Sequence, residues 1–444
     1  MTITKRIAQI PNQYHFDQLP QEAITIAKQC MLDWLGVTIA ALDDEVGHLL
    51  KEELVDNSQK TTLIGSTQKA SLLNATLING TIGHVLDYDD SNKLMIGHPT
   101  APIFPALLAL GEQLGSSGAD LITAFVAGYE TGGHVASLAW IPHYHAGFHA
   151  SATIGTFSAA AACARLMNLD NTKMEMALGL ASTQAAGLKI NNGTMSKSFQ
   201  VGKAAMNGLL AARMAARDFT AGANSLEGSE GFLQTHTNHE YELTLQSQGY
   251  FIKNNLFKYH AACHLTHSEI EILKEMKSEG LRPEEVEHIQ LEVPNQHLKI
   301  CNIEVPTTGL ETKFSMKHIA AMTLYGVETA RIEAYTDEVA NDEQLKALAK
   351  KVTIQADREP GMDATVTVTK KDGTLLSKFV DVGIPETDLD KQQQKVEAKF
   401  LALTVPILGV EKAMAIKDFI NNFEQQTNIS ELFELVKVEE LIFR

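Results

Sequence analysis

Cysteine is scarce in this chain. Its 444 residues hold four, Cys30, Cys163, Cys263 and Cys301, all far apart. No CxxC pair exists, which excludes zinc-finger and dithiol redox motifs. So few thiols in so long a chain fit a reducing compartment. Apolar runs are short as well. Gly, Thr, His or a charge interrupts each one before the roughly 18 residues that a membrane span needs. The opening MTITKRIAQIPNQYHF has neither an apolar core nor a cleavage signal, so a cytoplasmic protein is expected. Basic charge is in deficit too, with 37 Lys and Arg against 54 Asp and Glu, a net −17. That argues against nucleic acid, which needs a basic face. It leaves room for a small anionic substrate, because the field of a pocket is local. No nucleotide or flavin signature is present, and an aconitase-like iron–sulfur cluster would need three cysteines in a suitable array. No cofactor and no metal are expected.

What the chain has is apolar periodicity. Its 44% hydrophobic and 20% charged residues exclude a disordered chain and make a large core easy to bury. Helical spacing recurs over 21–41, 69–85, 101–115, 119–138, 150–167, 173–187 and 201–217. Residues 152–166 (ATIGTFSAAAACARL) are apolar almost all round, as in a helix buried on most sides. Ser117 and Asp170 stand at cap positions. From about 285 the character changes. VEHIQLEVP alternates as a half-buried strand does, a helix follows over 313–327, and then comes VTIQAD. ATVTVTKKDGTLLSKFVD reads as a hairpin turning at Lys370-Lys371-Asp372-Gly373. The expected fold is mainly α with an α+β second domain: a large all-α helical domain over 1–268, completed by C-terminal helices over 404–444, and a smaller α/β domain over 269–403.

Four clusters could carry chemistry. His84-Val-Leu-Asp87-Tyr88-Asp89-Asp90-Ser91, with His98 shortly after, reads either as a metal site or as a capped helix end and turn; it lacks EF-hand spacing. His143, His145 and His149, ahead of an Ala-rich helix, could bind a metal or an anion, and the helix N-terminus itself would attract a carboxylate. In Asn191-Asn192-Gly193-Thr194-Met195-Ser196-Lys197-Ser198, followed by Lys203, a phosphate loop is excluded by spacing and the missing strand. Lys197 there is a carboxylate ligand, a general acid or a solvated lysine. Finally, Lys258 to His267 holds Cys263 beside His264, but adjacent residues on one element do not face each other.

Taken in order, LDYDDS, GHPTAP, GFHASATIGTFSAAAACARL, GTMSKSFQVGKAAMNG, LEGSEGF and KFSMKH resemble the MmgE/PrpD family, from about residue 20 to 440. That family includes 2-methylcitrate dehydratases, cis-aconitate decarboxylases and iminodisuccinate epimerases. The resemblance implies a helical domain, a smaller α/β lid domain and a homodimer. It matches Asp87 to the Asp of the D-[YF]-D-D-[TS] motif, and Ser91 to its last position, where Thr is common. His98 matches the His of the following H-P, His149 the His before the Ala-rich helix, and Lys197 the Lys of a T-K-P-like loop in which Ser198 replaces Pro. A family His falls at Cys263 without a gap, or at His264 with a one-residue shift. A family Tyr becomes His318, a change closer to the epimerase-like branch.

The resemblance therefore implies an enzyme that moves a proton at carbon next to a carboxylate of a small di- or tricarboxylate. The outcome would be decarboxylation or dehydration, with epimerisation of an imino- or amino-dicarboxylate as the alternative. A metal-dependent hydrolase and a non-catalytic carboxylate binder are the readings from other classes. His98, His149, Lys197, Asp87, His264 and His318 are the catalytic candidates. Ser91, Asn192, Thr194, Lys203 and Cys263 are the candidates for binding substrate.

Overall fold

A computed structural model of the chain describes residues 1–55, 60–237 and 249–438. Residues 56–59, 238–248 and 439–444, which the sequence assigns to the helical domain, lie outside the described residues. The chain divides into two units, Met1–Phe257 with Thr387–Arg444, and Lys258–Glu386.

In the first unit the apolar periodicity becomes helices: α1 (Ile3–Gln9), α2 (Gln21–Ala40), α3 (Glu45–Leu54), α4 (Leu72–Ile82), α5 (Thr100–Leu114), α6 (Gly118–His145), α7 (Ala150–Leu166), α8 (Asn171–Ser182) and α9 (Ser196–Ala216). Helix α7 is the hub. Every residue from Ala150 to Ala164 is buried, as its all-round apolar sequence requires. Small residues let its neighbours approach. A Cβ at Gly208 of α9 would lie 2.5 Å from the Ala159 Cβ, and one at Gly202 would lie 2.2 Å from the Thr81 hydroxyl oxygen on α4. Caps set the starts. Ser117 and Asp120 form a capping box on α6, and Asp170 accepts from the Lys173 N–H at 2.9 Å; each such cap contributes about 1 kcal/mol. Helix α6 runs on past the expected 138 to His145, across Trp140, whose φ of 27° is non-helical.

The chain returns to this unit through the helix Leu389–Leu408. Phe400 packs over Gly36 of α2, and the Lys399 ammonium sits 2.6 Å from Asp33 in the interior. Both divisions between the units come earlier than the 268/269 and 403/404 expected. Those positions fall inside the unbroken helices His267–Ser278 and Leu389–Leu408. The second continues its buried stripe onto α2 without a break, so it cannot be split between units.

The second unit carries a four-stranded mixed sheet in the order Val352–Arg358, Val286–Pro294, Asp363–Lys370, Leu375–Asp381. The first pair is parallel and the others antiparallel, with Leu291 opposite Ile354 on one side and Val366 on the other. The parallel pair requires a crossover. The chain between those strands supplies it, with helices Met316–Tyr325 and Glu343–Ala349. Val286, Ile289, Leu291 and Val293 are buried, as the alternation predicts. The Lys370–Gly373 turn closes the hairpin, with Gly373 at φ +86° and the Lys370 N–H donating to the Thr374 carbonyl at 2.8 Å.

Candidate active site

Three segments of the helical unit meet at the N-terminus of α7. The turn after α4 carries His84, Asp87 and Asp89. The segment ahead of α5 carries His98, and its N–H donates to the Ser151 hydroxyl at 3.0 Å, which pins it to the first turn of α7. The third segment leads into the first turn of α9, which carries Lys197. It is tied to the residues before α7 by the His149 N–H donating to the Gly187 carbonyl at 3.0 Å, and the Lys189 N–H to the Gly147 carbonyl at 2.9 Å.

The side chains form one network. Asp89 is enclosed, and its two oxygens lie 2.9 and 3.0 Å from His84 Nδ1; one of them is 3.2 Å from His98 Nδ1. The other face of His98 reaches outward, with Nε2 3.3 Å from Asp87 Oδ1. Lys197 Nζ lies 2.8 Å from that same oxygen. Asp87 sits at φ +50°, a left-handed backbone that a short polar side chain tolerates. Its carboxylate is half exposed, while Asp89 and His84 are not exposed at all. The His84 and His98 rings meet edge to face at 4.7 Å, and His149 lies 6.2 Å from His84.

Burial and charge divide the protons. Burial would raise the Asp89 carboxyl, but His84 and His98 outweigh it and hold it well below the usual range. Asp89 is therefore the fixed anion. Burial lowers the His84 pKa, so His84 donates Nδ1–H to Asp89 as a neutral ring. His149 is pushed down to about 3, by burial first and then by His84, Lys197 and His98. Behind the site, burial with Asp33 and Asp89 raises Asp90 far up, which keeps it protonated.

His84, Asp87, Asp89 and His98 offer ligand atoms all within 4.8 Å of one another. Two nitrogens and two carboxylate oxygens suit zinc by type. The same atoms, however, already face each other at hydrogen-bond and ion-pair separations, and the Lys197 ammonium occupies Asp87. A dication would have to displace it. The 143–149 run does not converge on an ion. His143 stacks on Phe148 at 4.8 Å and reaches the Thr153 hydroxyl at 2.7 Å, while His145 is exposed.

Of the residues singled out in the sequence, Asp87, His98 and Lys197 are in direct contact, and His149 flanks them. Ser91 is half-buried and pairs with Leu256 in a two-residue strand contact. Asn192 is exposed, and the exposed Thr194 spends its hydroxyl on the Asn191 carbonyl at 2.8 Å. Lys203 lies six residues beyond Lys197 on α9, on a different face of that helix. Cys263, His264 and His318 belong to the second unit. There Cys263 is near enough to Cys301 to raise the Cys301 thiol, His264 packs against His267 at 4.7 Å, and buried His318 donates to the Val339 carbonyl at 3.0 Å.

Sequence reasoning gave no role to His84, Asp89 or Gln200. The first two stood inside a cluster it did single out. Gln200 follows Lys197 by three residues, the spacing that puts two side chains on one helix face.

The chain thus has a large helical unit that carries this His–Asp–Lys network and a smaller mixed-sheet unit. Residues 5–244 match the MmgE/PrpD N-terminal domain and residues 260–425 its C-terminal domain, so the chain belongs to the MmgE/PrpD family. It is 25% identical to a cis-aconitate decarboxylase of Aspergillus terreus, over 98% of this chain and 96% of that protein. It is 24% identical to the cis-aconitate decarboxylase-like protein oryM of Aspergillus oryzae, over 95% and 94%. Family and relatives point to an enzyme. Among the described residues, no helix is long and apolar enough to cross a membrane.

Proposed function

We propose that the protein is a lyase that decarboxylates or dehydrates a small di- or tricarboxylate of the cis-aconitate or 2-methylcitrate kind, without a metal or an organic cofactor. One observation carries the reading. Lys197 Nζ and His98 Nε2 converge on a single half-exposed carboxylate oxygen, at 2.8 and 3.3 Å, beside a neutral His149. Groups that hold the carboxylate of Asp87 have the chemistry to hold a substrate carboxylate next to it.

The reaction needs such groups. When CO2 or a proton leaves carbon next to a carboxylate, the electron pair spreads onto the carboxylate oxygens of an anion that is already multiply charged. Lys197 neutralises that charge, and His149 and His98 offer N–H donors. One oriented donor contributes about 3 kcal/mol to the transition state. In a decarboxylation the carbon then takes a proton from an acid; in a dehydration a base takes the proton from carbon and an acid protonates the departing hydroxyl. Imidazole can do either near neutral pH. Asp87 orients Lys197 and His98, and Asp89 holds the ring of His98 from behind. Exposed Trp140, Ile141, Leu188 and Ile190 supply apolar surface for the second subunit of a homodimer, which sedimentation would detect.

The test is turnover by the purified protein of cis-aconitate, 2-methylcitrate and iminodisuccinate. Product from either of the first two supports the reading. Turnover of iminodisuccinate alone moves it to epimerisation, and turnover of none removes it.

A further inference from the structure

A further side-chain contact lies beside the Lys197 network. The side-chain amide of Gln200 on α9 is clamped by the main chain of Leu188. Its Oε1 accepts the Leu188 N–H at 2.9 Å, and its Nε2 faces the Leu188 carbonyl at 3.3 Å. Turning the amide over would set NH2 against N–H and oxygen against oxygen, so its orientation is determined. The NH2 end then donates to His149 Nδ1 at 2.8 Å. An amide nitrogen has only hydrogens to offer, so Nδ1 must present its lone pair, and the ring proton must be on Nε2. Both side chains are buried, at 8% and 9% exposure, so water does not compete for the contact. The loop cannot easily shift to release it: Gly187 has φ +154°, and a Cβ there would lie 2.5 Å from Ala152 and 3.2 Å from Gln200 Oε1.

We infer that Gln200 is a positioning residue that locks His149 as the neutral Nε2–H tautomer, so that the imidazole meets an anionic substrate as a hydrogen-bond donor and not as a base at Nδ1. The charged and titratable groups around the ring act in the same sense or too weakly to reverse it. His84, His98 and Lys197 oppose a positive charge there, and burial does so most; Asp87 favours it and is the smallest of these. A second proton on His149 would also have to displace the Gln200 donor. The substrate half of this inference rests on the proposed function; the tautomer half does not.

The experiment is nitrogen NMR on the full chain labelled with 15N-histidine, with His149→Asn as the assignment control. The expected result is an unprotonated, acceptor-type Nδ1 and a protonated Nε2, unchanged between pH 8 and pH 5. A protonated Nδ1 or an imidazolium at pH 7 in the wild type would overturn the inference without touching the proposed reaction. In Gln200→Glu the carboxylate accepts from the ring, which moves the proton to Nδ1. The nitrogen pattern should invert, kcat should drop about 100-fold with a smaller change in KM, and a new ionisation should enter the pH profile. Gln200→Leu gives a mixture of tautomers and an intermediate rate. Wild-type kcat in Gln200→Glu, with the pattern inverted, would remove the positioning role. Failure of the wild type on all three acids would remove the proposed function and leave the tautomer standing.

Discussion

In the helical unit, His84 and His98 share the carboxylate of Asp89, and His98 reaches on to an Asp87 that is half in solution with Lys197 beside it. The second unit is as rich in imidazole and uses it otherwise. His260 lies between Glu271 at 2.9 Å and the Thr329 hydroxyl at 2.8 Å, and His318 donates to the Val339 carbonyl. Those bonds tie elements of the second unit to one another. Density of histidine is the same signal in both places. In the first unit a half-exposed carboxylate has both a cation and an imidazole aimed at it. That arrangement keeps binding capacity in reserve, whereas a ring bonded to the main chain, as His318 is, has spent its proton on the fold.

The comparison can be broken by removing the anion that organises the first region. Asp89→Asn takes away a buried carboxylate that two imidazoles face, and losing the hydrogen bonding of such a charged group costs about 3 kcal/mol. Denaturant melts should show that loss; a loss below 1 kcal/mol would mean that Asp89 does not hold the network. Next in size is Lys197→Met. It should lower kcat/KM by about 3 kcal/mol, roughly 100- to 1,000-fold, with the melting temperature nearly unchanged, because Lys197 pairs with a half-exposed carboxylate. A rate within threefold of the wild type would exclude Lys197 from the chemistry. The second region should answer in the opposite way. His260→Leu leaves Thr329 and Glu271 without the ring between them and should cost about 2 kcal/mol of stability. The rate per folded molecule should stay unchanged, and a fall in that rate instead would erase the contrast.

The fold was legible where local rules coincide with packing. The all-round apolar run of 152–166 is the buried hub, Asp170 is the cap it looked like, and Lys370–Gly373 is a turn because Gly373 supplies the positive φ. The domain limits were less legible, since nothing in the composition marks where an unbroken helix such as Leu389–Leu408 begins to pack on α2. Within the site, Asp87, His98 and Lys197 could be named from motifs. The pairing of His84 with Asp89 could not, because a turn brings together residues five apart that no helix or strand spacing relates. Gln200 was hidden for another reason. Its role depends on a main-chain N–H at Leu188, and a backbone partner leaves no mark on residue type.

Acid stability gives the smallest effect and the finest test of the contrast. Folding holds His149 neutral down to about pH 3, whereas an unfolded imidazole has a pKa of about 6.5. Between those values the unfolded chain binds the extra proton, so this group contributes stability above pH 6.5 that is lost as pH falls through the window. Two acids in the same unit act in the other direction. Burial raises Asp33 to about 6, against the pull of Lys399, and Glu130 to about 7, against two backbone N–H donors. Their folded forms bind the extra proton, so their contribution improves as pH falls toward 4. The opposing terms flatten the overall profile, and wild type alone would show little. His149→Asn removes one term and leaves the acids in place. Wild-type stability relative to the variant should therefore fall by about 1.4 kcal/mol per pH unit between pH 6 and pH 4. Urea melts of both proteins across that range measure it. A flat difference would mean that His149 takes its proton in the folded state as readily as in the unfolded one, and the ring at the mouth of the network would then be a cation rather than a neutral donor.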